Sequence, residues 1–196
     1  MRRQTLILLS GLLLSATGCE RKPSANGAGD ASPGRWFNVQ AFLTSEKAAL
    51  KGMNAAVEKT VQWGDAVFTE RRDTVNWDRE FALWERVDLN RAEWADGWDT
   101  TLTRTADGGR FELYEARDEK TPLQRFSLFY NGKGELLVME ADWETDELFT
   151  QRRYRLAYQP GRGYSVKGAY RHSWEKEREF EIFAEIRNPA FLNRMN

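Results

Sequence analysis

Carboxylates crowd one short stretch of this chain and are the first residues to consider for chemistry. They are Glu140, Asp142, Glu144, Asp146 and Glu147. Carboxylate oxygens are ligands for calcium, and an EF-hand loop that began at Asp142 would need glycine at its sixth position and glutamate at its twelfth. The chain has Glu147 and Arg153 at those positions, so the spacing does not predict an EF-hand.

The same carboxylates could supply the two carboxyl groups that flank the scissile bond in a glycoside hydrolase. Linear spacing does not establish the separation that this chemistry needs. A simpler interpretation is a solvated turn that faces Arg152, Arg153 and Arg155 on the following strand, with exposed ion pairs that contribute little stability. We favour the solvated turn and keep a carboxylate-based hydrolase as an alternative function.

Nucleophilic and metal-dependent chemistry have few residues to draw on, because His172 and Cys19 are the single histidine and the single cysteine. A Ser-His-Asp triad would have to combine His172 with Ser127, Ser165 or Ser173, and no G-x-S-x-G nucleophile elbow occurs. One cysteine excludes an internal disulfide and a four-cysteine metal site, and one histidine excludes a histidine-rich zinc or copper site. We therefore expect no enzymatic activity, no bound metal and no cofactor.

Tryptophan is the most unusual component of the composition, with eight residues. Four of them fall close together, at Trp77, Trp84, Trp94 and Trp98. They could form an aromatic platform for a glycan or an apolar ligand, or they could fill the space between a helix and a sheet. The apolar periodicity of their segment favours burial. Trp36, Trp143 and Trp174 lie near segment ends and are the expected partner-facing surface.

Residues 1–18 are predicted to be a secretory signal peptide. Arg2 and Arg3 give a positively charged start, and the apolar stretch at 6–14 that follows is too short to span a bilayer. Small residues then precede Cys19 in a pattern that resembles a bacterial lipobox. We expect cleavage before Cys19, lipidation of its thiol and a stable membrane anchor, because two or more acyl chains hold a protein on a bilayer.

The predicted domain organisation continues with a tether and one globular domain. Residues 19–34 are expected to form the lipidated cysteine and a flexible tether, because this segment lacks large apolar side chains. Glu20, directly after the cysteine, favours the outer membrane. Residues 35–196 are long enough for a single domain with its own core. With 29 basic and 30 acidic residues, the net charge of −1 argues against a nucleic-acid-binding protein.

Two helices and a hairpin are predicted at the start of the domain. Apolar residues recur at the helical period from Val39 to about Ala56. Two alternating runs that flank Gly64-Asp65 predict a β-hairpin. The segment Asn76–Leu89 is predicted to be the second helix, with its tryptophans on one face.

The rest of the domain alternates apolar and polar residues, which is typical of antiparallel strands with one buried face. The predicted strands are Trp98–Arg104, Phe111–Arg117, Leu123–Tyr130, Glu135–Trp143, Leu148–Tyr158, Tyr164–His172 and Glu179–Ile186. The expected fold class is α+β, with two N-terminal helices and the intervening hairpin packed on a largely antiparallel sheet. This layout, with Asp88-Leu89-Asn90 and Trp94 after the second helix, resembles uncharacterised lipoproteins of Gram-negative envelopes. The resemblance implies the anchor and the fold, and it implies no activity.

Three functions fit these observations, and each predicts a different structure. The favoured one is a lipid-anchored periplasmic binding or interaction module for an envelope protein or cell-wall glycan, with a filled core and an exposed aromatic patch. A carrier of an apolar ligand such as an acyl chain needs a continuous apolar cavity. A carboxylate-based hydrolase needs converging carboxylates in a cleft, one of them with a raised pKa.

Overall fold

A computed structural model describes residues 35–94 and 96–188 of the chain. The predicted signal peptide, the lipidated Cys19 and the tether that ends at residue 34 lie outside the described residues. No helix within the described residues is both long enough and apolar enough to cross a membrane.

One antiparallel sheet of nine strands dominates the described chain, in the order β2-β1-β9-β8-β7-β6-β5-β4-β3. The strands are β1 Ala56–Trp63, β2 Ala66–Arg72, β3 Trp98–Arg104, β4 Arg110–Ala116, β5 Leu123–Tyr130, β6 Leu136–Glu147, β7 Thr150–Gln159, β8 Gly163–His172 and β9 Arg178–Arg187. The strands from β3 to β9 follow one another as a meander. The hairpin β1–β2 joins the other edge, because β1 pairs with β9.

The predicted α+β class is wrong, and the fold is mainly β. The hairpin at Gly64-Asp65 forms as expected, with Gly64 in the left-handed region at φ 58°. It does not pack on the sheet as a separate element, because it is part of the large sheet through the pairing of β1 with β9. The helices are also shorter than predicted. Helix α1 spans Val39–Gly52 and helix α2 spans only Trp77–Glu80, so the sheet sets the architecture.

The predicted second helix over Asn76–Leu89 is also wrong. The cap is placed correctly, since the Asn76 side chain accepts a hydrogen bond from the Arg79 backbone N–H at 3.2 Å. Regular helix then ends near Phe81, and the chain tightens into a 3-10 turn at Trp84–Arg86. A 3-10 turn has about three residues per turn, fewer than an α-helix. The change from one to the other therefore keeps the successive large aromatic side chains directed at the sheet.

The acidic stretch does not form the predicted turn. Strand β6 continues through the expected break at Trp143–Glu147, and the turn follows directly, at Leu148 and Phe149. Cross-strand charge pairing accounts for the longer strand. Asp142 lies opposite Arg155 and is bonded to it at 2.8 Å, and Glu144 lies opposite Arg153, so opposite charges face each other across the hairpin.

The core lies between the helical segments and one face of the sheet, here called the helix-bearing face. Its largest fully buried side chains are Trp77, Trp84, Tyr158, Phe81, Phe126, Leu43, Leu50, Leu89, Leu123, Leu128, Met139 and Leu156. The expectation that the clustered tryptophans are core residues is confirmed for Trp77, Trp84 and Trp98, each at most 2% exposed. Trp94 is partly buried against the same core.

Buried tyrosines on the sheet donate hydrogen bonds to glutamates, and two of these bonds fasten the helical layer. The Tyr158 hydroxyl donates to Glu46 of α1 at 2.6 Å, and the Tyr164 hydroxyl donates to Glu80 of α2. On β4, Tyr114 donates to Glu112 at 2.7 Å. Burial, reinforced by the neighbouring carboxylate, raises the pKa of all three tyrosines well above its ordinary value.

Candidate functional site

The helical segments leave part of the helix-bearing face uncovered. Residues directly opposite each other in an antiparallel pair share a face, so one row can be followed from strand to strand. One such row lies outside the area that the helical segments cover. Its members are Trp63 of β1, Phe180 of β9, Gly168 of β8, Tyr154 of β7 and Trp143 of β6. Four of these five residues are aromatic, so the uncovered region is an aromatic surface.

A continuous chain of ring contacts runs along this region toward the hairpin tips. We call it the aromatic strip, and its members are Tyr154, Phe180, Trp63, Tyr170, His172, Trp174 and Phe149. Neighbouring ring centroids in that order lie 5.7 to 6.2 Å apart. Two of the contacts are stacked, with interplanar angles of 13° for Trp63 on Phe180 and 12° for His172 on Trp174. Such offset contacts hold the rings in a defined arrangement.

Gly168 makes room for the centre of the strip. It lies directly opposite Phe180 in the ladder, and a Cβ atom at this position would overlap the Phe180 ring. Without that atom the ring lies against the β8 backbone, and Trp63 stacks on it. A glycine inside a strand often marks a close approach of this kind, so Gly168 is a sequence signal for the strip.

The strip is accessible from solvent along its length. Trp174 is 72% exposed, Phe149 is 56% exposed and Trp63 is 43% exposed. Tyr154 and Phe180 are half-buried, because their inner sides pack against the core. The aromatic strip therefore exposes ring faces to solvent, and packing against the core holds the inner rings in position.

The three tryptophans expected to face a partner lie in different environments. Trp174 is a member of the aromatic strip. Trp143 is half-buried and packs edge-on against Trp94, with 5.9 Å between centroids. Trp36 is half-buried against the core and makes an edge contact with Tyr114 at 5.7 Å. The structure therefore does not bring the three indoles together in one patch.

The opposite side of the sheet, here called the charged face, holds the alternating carboxylates of β6. Along this face Asp142 accepts from Arg155 at 2.8 Å, and the row continues to Lys167, which lies 3.1 Å from Glu181. The hydrogen bond that Arg155 donates to Asp142 raises the pKa of the Arg155 guanidinium. Of the three β7 arginines expected to face the acidic stretch, only Arg155 pairs with it, through Asp142. Arg153 pairs with Glu177 instead, and Arg152 lies on the other face of the sheet.

Open grooves of about 860 and 250 Å³ also lie on the charged face. The larger is lined by residues of β1, β9, β8, β7 and β6, including Gln62, Glu181, Lys167, Arg155 and Asp142. Charged groups of both signs line it, and two cross-strand ion pairs lie among them, Asp142 with Arg155 and Lys167 with Glu181. Within residues 35–94 and 96–188, no set of three or more His, Cys, Asp and Glu side chains is arranged to hold a metal ion.

His172 belongs to the aromatic strip rather than to a triad. Its Nδ1 lies 3.1 Å from the Thr150 hydroxyl, and its ring stacks on Trp174. Ser127 and Ser165 lie on the charged face, on the other side of the sheet, as the register of β5 to β8 shows. The candidate serine that lies next to His172 is Ser173, at the end of the same strand.

The comparisons with known proteins place the chain in no established group. No protein-family model, no curated protein and no solved structure matches it. Among the described residues, the aromatic strip is the surface on which several ring faces are exposed side by side.

Proposed function

We propose that this protein is a lipid-anchored, non-catalytic binding module of the bacterial cell envelope and that its aromatic strip binds cell-wall glycan. The observation that carries the proposal is the strip itself. It is a continuous set of half-exposed rings on a rigid sheet, left uncovered by the helical layer.

Glycan suits this surface because a sugar ring has an apolar C–H face and a rim of hydroxyl groups. Aromatic rings pack on the C–H face of the sugar, and nearby polar side chains form hydrogen bonds with its hydroxyl groups. Thr145, Thr150, Arg152 and Arg178 lie on the same face as the strip, in adjacent ladder positions. An apolar surface without such a polar border would suit a lipid or a protein core better.

The core and the charged face support this proposal over a carrier and over a hydrolase. The space between the helical layer and the sheet, where an acyl chain would lie, is occupied by large buried side chains such as Trp84, Phe81 and Tyr158. On the charged face, Asp142 and Glu181 are each held by a cation. A general acid has to reach the substrate oxygen that it protonates, whereas these two carboxylates are engaged by their cation partners.

Binding to purified, insoluble peptidoglycan tests the proposal. We expect the full-length protein in detergent to cosediment with it, and Trp63→Ala or Phe180→Ala to weaken binding about 5- to 10-fold, because each removes a ring face worth about 1 kcal/mol. Phe183→Ala is the matched control, since Phe183 is 56% exposed on the charged face. Equal losses in all three variants, or no binding by the parent, would contradict the proposal.

The membrane anchor needs a separate test. Cys19→Ala removes the thiol that the lipobox-like sequence presents for lipidation. We expect this variant to keep its leader and to lose acyl labelling, because processing by the lipoprotein peptidase depends on that cysteine. Metabolic labelling with a fatty acid and membrane fractionation measure the two effects. A Cys19→Ala protein that matures and still incorporates the label would refute the anchor.

A further inference from the structure

Arg152 differs from the other polar residues beside the aromatic strip in its position between two tyrosines of the strip. On the helix-bearing face it lies opposite Tyr170 of β8 and opposite Thr145 of β6. Along its own strand, Tyr154 and Thr150 are the next residues on that face. Its guanidinium therefore extends from a position bordered by two tyrosines of the strip.

Arg152 makes no ion pair or hydrogen bond through its side chain within residues 35–94 and 96–188, and it is exposed. Its neighbours differ. Arg153 donates to Glu177 at 2.6 Å, Arg155 donates to Asp142 at 2.8 Å, and Arg178 lies 3.4 Å from Glu175. The chain thus supplies acidic partners to the nearby arginines and leaves this one uncommitted.

Among the charges beside the strip, Arg152 is the cation left without an acidic partner within the described residues. On the helix-bearing face Arg152 and Arg178 flank Tyr170 across three adjacent strands. The carboxylate of Glu175 is taken by Arg178. Glu147 lies opposite Thr150 at the end of this face and forms no ion pair with Arg152. A solvated arginine is ordinary on a protein surface, but an unpaired one set between ring faces is placed to bind a carboxylate on a ligand that the rings hold.

We infer that the strip selects an acidic glycan and that Arg152 binds its sugar-borne carboxylate. A guanidinium presents two parallel N–H donors that match a carboxylate, and neighbouring rings reduce the water that would compete for them. Tyr154 and Tyr170 would hold the sugar faces on either side. This inference rests on the proposed function and adds the chemical class of the ligand.

The test compares two forms of one ligand. The probes are glycan strands freed of their peptides, whose lactyl groups carry free carboxylates, and the same strands after methyl esterification. We expect the full-length protein to bind the acid form at least 10-fold more tightly than the ester, with a preference that shrinks as salt rises. Arg152→Gln should lose this preference and retain the parent's affinity for the ester.

Arg153→Gln is the control, because it removes the same charge from the next residue, on the charged face. It should keep the full preference for the acid form. Equal affinity of the parent for both forms, or equal losses in Arg152→Gln and Arg153→Gln, would overturn the role of Arg152 and leave glycan binding standing. Failure of the parent to bind either form or intact peptidoglycan would overturn the proposed function, and this inference with it.

Discussion

Replacing Trp84 by alanine is expected to lower the free energy of unfolding by about 3–5 kcal/mol. Trp84 is 1% exposed and packs edge-on against Tyr158, with 6.2 Å between ring centroids. It lies at the start of the 3-10 turn, between the helical segments and the sheet. The cost therefore combines lost burial with a cavity at the centre of the helix–sheet layer.

A loss of this size is a large part of the stability of a domain, which holds about 5–15 kcal/mol. Chemical denaturation followed by circular dichroism would measure it. Trp174→Ala is the matched control, because Trp174 is 72% exposed and its removal should change the unfolding free energy by about 0.5 kcal/mol or less. Superimposable melts of Trp84→Ala and the parent would place the indole outside the core.

Strand positions could be predicted from sequence with little error. The predicted Trp98–Arg104 and Leu123–Tyr130 coincide with β3 and β5. From β3 to β9 each strand is joined to the next by a short connection, and one face of the sheet is exposed to solvent over much of its length, so the period-two alternation is strong and local. Neither property requires knowledge of the rest of the fold.

The errors arose where pairing in the sheet or packing on it decides the structure, rather than the residues of the segment alone. The charged residues after Trp143 have low strand propensity, yet pairing with β7 continues through Glu147. Similarly, the spacing of Trp77, Phe81 and Trp84 fits a long helix as well as a short helix followed by a 3-10 turn. The sheet surface on which they pack selects the second arrangement.

The aromatic strip could not be predicted from sequence. The alternation of apolar and polar residues predicts on which face of the sheet a side chain lies, but it does not predict which part of that face the helical segments cover. Tyr154 and Tyr158 have the same pattern on the same strand, yet Tyr158 is fully buried and Tyr154 is half-exposed. The difference comes from the path of the helical layer across the sheet. Gly168 opposite Phe180 was the available local signal, and its meaning depends on the register.

The second large effect is expected at alkaline pH, where the protein should unfold steeply. Tyr114, Tyr158 and Tyr164 are buried, and each donates its hydroxyl proton to a glutamate. These features raise their pKa in the folded state above the ordinary value of 10.0. The unfolded chain therefore releases these protons near pH 10, whereas the folded chain keeps them.

Because the folded-state pKa values are raised, the stability that these tyrosines confer is fully present below pH 10 and is lost as the pH rises above it. With three protons bound only by the folded state, the free energy of unfolding should fall by about 4 kcal/mol per pH unit. Guanidinium unfolding curves at half-unit intervals from pH 8 to 12 would give this slope. Tyr158→Phe leaves two such protons, so its slope should be smaller by about a third, whatever its stability at neutral pH. Parallel curves for the parent and Tyr158→Phe, or a parent whose stability is flat above pH 10, would show that the tyrosine–glutamate bonds do not hold these protons.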